Sequence, residues 1–244
     1  MSLNCVLSYE NEFLKSNLVL MDKSSCLPAE ILQPNPGSDV LDVCAAPGNK
    51  TFHLASLYSQ AIQIYSIDRS KTRCKLMIKL LTSRNVSPKC VKVYKLNWLK
   101  CDQSVLDTEL TDFPNGFGYA LVDPSCTGSG MLHSRFNTDN TDHDEDRLDM
   151  LSSIQFDMIR NCIELYGRSL KRLVYSTCSI HQEENELVVE KVLDSYKAFI
   201  ELENIMEDTW KYRGLTNRTR GCIRADPKST RSNGFFVASF RFLR

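Results

Sequence analysis

None of the ten cysteines, at positions 5, 26, 44, 74, 90, 101, 126, 162, 178 and 222, forms a C-x-x-C pair with another. Scattered through apolar stretches, they lack the density of a small disulfide-framed secreted domain and read as reduced thiols, several of them packing residues. No apolar run approaches the ~20 residues of a membrane-spanning helix and no charged-then-apolar leader opens the chain, so the expected setting is nuclear or cytosolic, away from membranes. Neither G-x-G-x-x-G nor a complete G-x-x-x-x-G-K-[ST] loop is present, which weakens dinucleotide and nucleoside-triphosphate readings. An excess of one charge is missing too: 30 Lys+Arg face 30 Asp+Glu. Any nucleic-acid contact must therefore come from a local patch. His53, His133, His143 and His181 have no ligand spacing to each other or to cysteine, so no metal is expected. There is no internal repeat and no Gly/Ser-rich linker.

What is present is alternation. With 244 residues and 42% hydrophobic content, the chain suits one large α/β domain over residues 23–244, after an extension, 1–22, too short to fold alone. Ser24 or Ser25 caps a short helix to residue 33, ended by Pro34-Asn35-Pro36-Gly37. Strands are expected at 40–44, 62–67, 91–96, 117–122, 173–177, 199–202 and 234–242. Helices are expected at 50–58, 70–84 (capped by Ser70, with Cys74, Met77, Ile78 and Leu81 on one face), 150–166 and 182–196. The acid-rich stretch 137–149 reads as a mobile loop. Strands alternating with helices give a mostly parallel sheet covered on both faces.

The turn after the first strand, Asp42-Val43-Cys44-Ala45-Ala46-Pro47-Gly48-Asn49-Lys50-Thr51, combines small residues with a following helix start, so backbone amides can approach a ligand closely. Asp68 ends the second strand at the spacing where a carboxylate accepts from ribose hydroxyls. An adenosine-containing ligand without a pyrophosphate fits, S-adenosyl-L-methionine foremost. An ordinary tight connection, with Asp68 capping the next helix, would use the same residues. Two cysteines then follow strand-like runs: Cys126 in Asp123-Pro124-Ser125-Cys126-Thr127-Gly128-Ser129-Gly130 and Cys178 in Ser176-Thr177-Cys178-Ser179. Carboxyl ends of parallel strands face the ligand crevice, so two thiols can be aimed at one substrate.

Taken together in this order, the three motifs resemble the Nop/Sun family of RNA cytosine-5 methyltransferases over about residues 18–242. The chain is most similar to the eukaryotic Sun-domain subfamily acting on large-subunit ribosomal RNA, through Ser25-Cys26-Leu27-Pro28-Ala29, Asn49, and Tyr175-Ser176-Thr177-Cys178-Ser179 followed by Gln182-Glu183-Glu184-Asn185-Glu186. The resemblance implies a class I S-adenosylmethionine-dependent methyltransferase fold: a mostly parallel, doubly wound sheet of about seven strands with the last antiparallel. It implies that Cys44, Ala45, Ala46, Pro47, Gly48, Asn49 and Lys50 wrap the methionine part of the cofactor and that Asp68 holds the ribose. Arg73 matches an arginine after that acid, and Asn97 falls near the adenine where many relatives have an acidic residue. Asp123 would lie against cofactor and base, with Cys178 as nucleophile, Cys126 aiding release, and Lys50 and Asp123 completing the catalytic set. A monomer acting on ribosomal RNA in the nucleolus follows from the same likeness.

The chemistry requires such residues. Carbon 5 of cytosine attacks a methyl sulfonium only after a thiolate has added at carbon 6. Cysteine adds and leaves readily, provided its ordinary pKa of about 8.5 is lowered. A second polar group assists the elimination, and a protonated Asp123 would donate to the ring nitrogen. For RNA contact, Arg213, Arg218, Arg220 and Arg224, with Trp210 and Tyr212 for stacking, form a candidate rim; a solvated basic loop is the alternative. Methylation of an exocyclic amine calls for a D/N-P-P-aromatic strand end, which Asp123-Pro124-Ser125-Cys126 is not. A non-catalytic RNA-binding assembly factor, or the same chemistry on tRNA, would share most of these features.

Overall fold

The computed structural model describes residues 19–58, 61–109, 112–131 and 144–243. Most of the extension 1–22, residues 137–143 of the acid-rich stretch, His133 and His143 lie outside them. The elements are α1 (Lys23–Leu32), β1 (Asp39–Val43), α2 (Asn49–Tyr58), β2 (Gln63–Asp68), α3 (Lys71–Ser83), β3 (Val91–Lys95), α4 (Gln103–Glu109), β4 (Tyr119–Val122), α5 (Asp144–Tyr166), β5 (Arg172–Thr177), α6 (Glu186–Tyr196), β6 (Ile200–Leu202), β7 (Ile223–Ala225) and β8 (Phe235–Phe242).

Eight strands form one sheet in the order β3-β2-β1-β4-β5-β8-β6, with β7 paired to β8. The first five are parallel, and β8 runs antiparallel to β5, β6 and β7. Period-two alternation divides the strand side chains between two apolar layers. Leu41, Val43, Ala120, Val122, Leu173 and Tyr175 pack under α5 and α6. Val40, Ile64, Leu121, Val174 and Val237 pack under α1, α2 and α3. The registers Val43↔Ile67, Val43↔Val122 and Val122↔Tyr175 bring the carboxyl ends of β1, β2, β4 and β5 level. Cys44, Asp68, Asp123 and Cys178 thus emerge along one edge, where open α/β sheets bind ligands.

Several local expectations shift. The α1 cap is Asp22, whose carboxylate accepts from Ser24 N at 3.0 Å and from Asn233 N at 3.0 Å, so it also ties the helix to the β8 approach. Ser70 does cap α3, accepting from Arg73 N at 3.3 Å. Ile78, expected beside Cys74, Met77 and Leu81, points outward and is 48% exposed. α5 begins at Asp144, within the stretch read as a loop, and α6 begins four residues later than its pattern suggests. The eighth strand, β7, lies inside the segment read as a candidate RNA rim or, alternatively, a solvated basic loop, because Cys222, Ile223 and Ala225 carry enough apolar surface to bury against β8. Among the described residues no helix is long and apolar enough to cross a membrane.

Candidate active site

The loop after β1 is held from inside. Cys44 adopts φ 63°, Ala45 N donates to Ile67 O at 3.0 Å, and Gly48 N donates to Ala45 O at 2.8 Å. Gly48 has φ +102°, and a Cβ there would stand 2.8 Å from Met77 Cγ. Only glycine meets both demands. We expect Gly48→Ala to lower stability by about 1–3 kcal/mol, read as a shift of the urea midpoint at unchanged m.

Arg73 braces this loop against β2. Its guanidinium donates to Ala46 O, and Nη1 lies 3.3 Å from Asp68 Oδ2. Asp68 Oδ1 accepts from Ser70 N at 2.9 Å. Oδ2 is buried with that ion pair but no hydrogen bond of good geometry. An acceptor left with spare capacity at the mouth of the crevice fits a vicinal diol, so the residues present suit an adenosine ligand. Beside it, a small cleft of about 90 Å³ is lined by Ser25, Asp42, Cys44, Ala45, Ala46, Pro47, Asn49, Lys50 and Asp123. Burial, reinforced by Asp68 and Asp123, pushes the Cys44 thiol up to about 12, so it stays a neutral packing group. Burial likewise raises Asp42 to about 7, against the bond from Thr51 Oγ1. Asn97 stands at the end of β3, preceding a short helical turn that its side chain does not cap. Leu96 N donating to Asp68 O at 3.0 Å holds that turn near Asp68.

After β4 and β5, Cys126 Sγ and Cys178 Sγ are 3.2 Å apart. The contact drives the two ionisations apart. The S–H bond from Cys126 holds Cys178 below the usual thiol range; burial and Asp123 oppose this, and Lys50 assists it. The same bond, with burial, raises Cys126 far above that range. Anion on Cys178 and proton on Cys126 is the state this geometry favours. Lys50 Nζ donates to Asp123 Oδ2 at 2.7 Å, and Ser176 Oγ donates to Asp123 Oδ1 at 2.6 Å. Both Asp123 oxygens therefore act as acceptors, which differs from the donor role expected of a protonated Asp123. Lys50 is the donor at this position.

Behind the thiols lies a buried polar frame, absent from the sequence-derived residue set. Glu184, fully buried, accepts from Thr127 N at 3.0 Å, Thr127 Oγ1 at 2.6 Å and Gln155 Nε2 at 2.9 Å. Gln155 Nε2 also donates to Ser125 O at 3.1 Å, so both neighbours of Cys126 are gripped. Asn185 holds the other cysteine's turn, accepting from Thr177 Oγ1 at 2.5 Å and donating to Ser179 O at 3.0 Å. The late start of α6 follows: residues 184 and 185 give up helical backbone so that their side chains can turn inward. We expect Glu184→Ala to cost about 2–3 kcal/mol, because buried donors lose their acceptor. Glu184→Gln retains an oxygen for Thr127 N and Gln155, and should cost under about 1 kcal/mol in the same chemical denaturation.

The arginines of the expected RNA rim are largely engaged. Arg224 pairs with buried Glu186 at 2.5 Å and donates to Ile180 O at 3.0 Å, bracing the chain just after Cys178. Arg213 donates to Ile205 O at 2.6 Å, and Arg218 pairs with Asp194 at 2.6 Å. Arg220 is exposed. Trp210 is buried, its indole N–H donating to Arg224 O at 2.8 Å, which removes it as a stacking platform, whereas Tyr212 is exposed. Among the described residues no group of three His, Cys, Asp or Glu side chains is placed to hold a metal.

A parallel sheet with an antiparallel strand set in beside β5, a tight loop after β1 and an acid after β2 is the Rossmann-like methyltransferase architecture. The model of the family described as 16S rRNA methyltransferase RsmB/F matches residues 29–241. The chain belongs to that family. It is 40% identical over 228 residues to the 26S rRNA (cytosine-C(5))-methyltransferase nsun-5 of Caenorhabditis elegans, covering 91% of this chain and 49% of that protein. It is 39% identical over 231 residues to a 28S rRNA (cytosine-C(5))-methyltransferase of Mus musculus, covering 92% and 46%. Among solved structures, a methyltransferase homolog protein from Pyrococcus horikoshii superposes with TM-score 0.77 at 29% identity, covering 97% of this chain and 72% of that one. NSun6 from the same organism with SFG gives 0.76 at 26% identity, covering 98% and 56%. The chain thus spans about half the length of the sequence relatives it matches.

Proposed function

We propose that this chain transfers a methyl group from S-adenosyl-L-methionine to carbon 5 of a cytosine in large-subunit ribosomal RNA, with Cys178 as nucleophile and Cys126 aiding release. The observation that carries this reading is the 3.2 Å thiol pair, a contact that lowers the Cys178 thiol and raises that of Cys126. The names of the eukaryotic relatives support the substrate, and a ribosomal RNA target supports a nuclear, nucleolar site of action in a eukaryotic cell.

When bound, the cofactor supplies a methyl group made electrophilic by its sulfonium. Cys178 Sγ, as thiolate, adds to carbon 6, and the electrons of the 5,6 double bond move to carbon 5, which takes the methyl group. The carbon 5 proton then leaves to a base, the double bond re-forms, and the carbon–sulfur bond breaks. Charge returns to Cys178 Sγ at that moment, and the Cys126 S–H is placed to donate to it, which makes the thiolate a better leaving group. Lys50 and Asp123, a donor and an acceptor in one cleft, can hold the polar edge of the ring. A base inside folded RNA must leave its stack to reach both sulfurs, so a loop or single strand is the expected target.

Tritium release from ribosomal RNA carrying carbon-5-labelled cytosine tests this. Release should match methyl transferred. Methylation without release would point to an exocyclic amine, and RNA binding with neither would mark an assembly factor.

A further inference from the structure

From Arg69 to Cys101 the sequence carries ten Lys and Arg and not one Asp or Glu. The remaining residues, 20 basic against 30 acidic, are net negative, so overall neutrality conceals a marked segregation of charge along the chain. The segment forms α3, β3 and their connections at one edge of the sheet, since β3 is a terminal strand. Arg69, Lys71, Lys75, Lys79, Lys89, Lys95 and Lys100 are exposed. Arg73 pairs with Asp68 and Lys92 with Asp112, while Arg84 stacks over Phe52. The seven exposed residues make no ion pair among the described residues.

Local energetics oppose this arrangement. Lys71, Lys75 and Lys79 recur every four residues on the face of α3 opposite buried Cys74, Met77 and Leu81, where like charges repel. Lys71 and Arg73 occupy a first turn that has no acid, against the helix dipole. A chain that keeps such a conflict without packing gain has a use for the charge. The patch begins at the site itself: Arg69 follows Asp68, and Lys95 and Lys100 flank Asn97. At about 4.8 Å per strand, β3 lies only about 19 Å from β5 and Cys178.

We infer that this edge is a polyanion-binding surface that takes the phosphate backbone of the RNA flanking the target base, in place of the engaged arginines between 213 and 224. The inference rests on the methyltransferase reading for its choice of polyanion. Its test is fluorescence anisotropy of a single-stranded, cytosine-containing RNA oligonucleotide against salt, using the 244-residue chain and the triple variant Lys71→Gln/Lys75→Gln/Lys79→Gln. Losing three phosphate contacts should make the slope of log K against log salt shallower by about 2, and weaken binding roughly 10- to 50-fold near ~0.15 M salt. KM for RNA should rise with kcat held and the unfolding midpoint unmoved, and Lys→Arg at the same three positions should restore binding. An unchanged slope and affinity, or an equal loss in Arg218→Gln, would overturn the inference. So would poly-glutamate competing as well as RNA per charge, which would assign the surface to an acidic protein. RNA binding with this slope but no tritium release from wild type would remove the methyltransferase reading and leave the surface standing. Methyl transfer with unchanged KM in the triple variant would do the reverse.

Discussion

A Cys178→Ala protein will transfer no measurable methyl group to RNA, with tritium release falling at least ~10³-fold. The size of the effect follows from the chemistry. Without a sulfur–carbon bond at carbon 6, carbon 5 has no electron pair to offer, and no neighbouring group replaces it. Cys126, the neighbouring thiol, keeps its proton through burial and the contact with Cys178, and burial keeps the Cys44 thiol neutral. Cys178→Ser should fare no better, because a hydroxyl at this position does not ionise near neutral pH. Folding should be nearly untouched, since Cys178 is only part-buried at a strand end, and removing one sulfur there costs on the order of 1 kcal/mol. Equal unfolding midpoints with activity lost would separate chemistry from stability.

Cys126→Ala should lower turnover by about 10²-fold while leaving a protein–RNA adduct that survives denaturing gels. Loss of the S–H donor removes the leading influence that lowers Cys178, and leaves burial and Asp123, which raise it, against Lys50. The sign is therefore fixed: the Cys178 pKa rises, its thiolate fraction at neutral pH falls, and alkylation by iodoacetamide slows there but recovers as pH is raised. Adduct formation then needs a higher pH than in wild type, and adduct decay is slow at every pH because the departing sulfur has no donor. A pH profile of alkylation without RNA reads the first effect alone. If that profile coincides with wild type, the contact with Cys126 does not control Cys178.

The residues that end strands were legible in sequence because each joins an apolar run to a turn. Asp42 to Lys50, Asp68, Asp123 and Cys178 all fall on the level carboxyl edge that parallel register creates. Glu184 was not legible as a site residue. Six residues after Cys178 it looks like the polar face of a helix, yet its partners Thr127 and Gln155 are 57 and 29 residues away. Its signal was the unbroken polar run Gln182–Asn185 before an apolar helix. Arg224 and Trp210 look solvent-facing for the opposite reason: a basic stretch suggests an open loop, whereas β7 sets Arg224 against buried Glu186 and its backbone carbonyl takes the indole N–H of Trp210. The acid-free stretch 69–101 was visible to a windowed charge count, but only the edge position of β3 gives it one outward face.

The central claim is that one identified sulfur bonds to the base. It is tested most directly by mass spectrometry of the Cys126→Ala protein after reaction with RNA and S-adenosyl-L-methionine, digested with protease and nuclease. The account predicts a peptide containing Cys178 that is heavier by a methylated cytidine nucleotide. The same mass on any other peptide, or a trapped complex that persists when Cys178 is also changed to alanine, would contradict it.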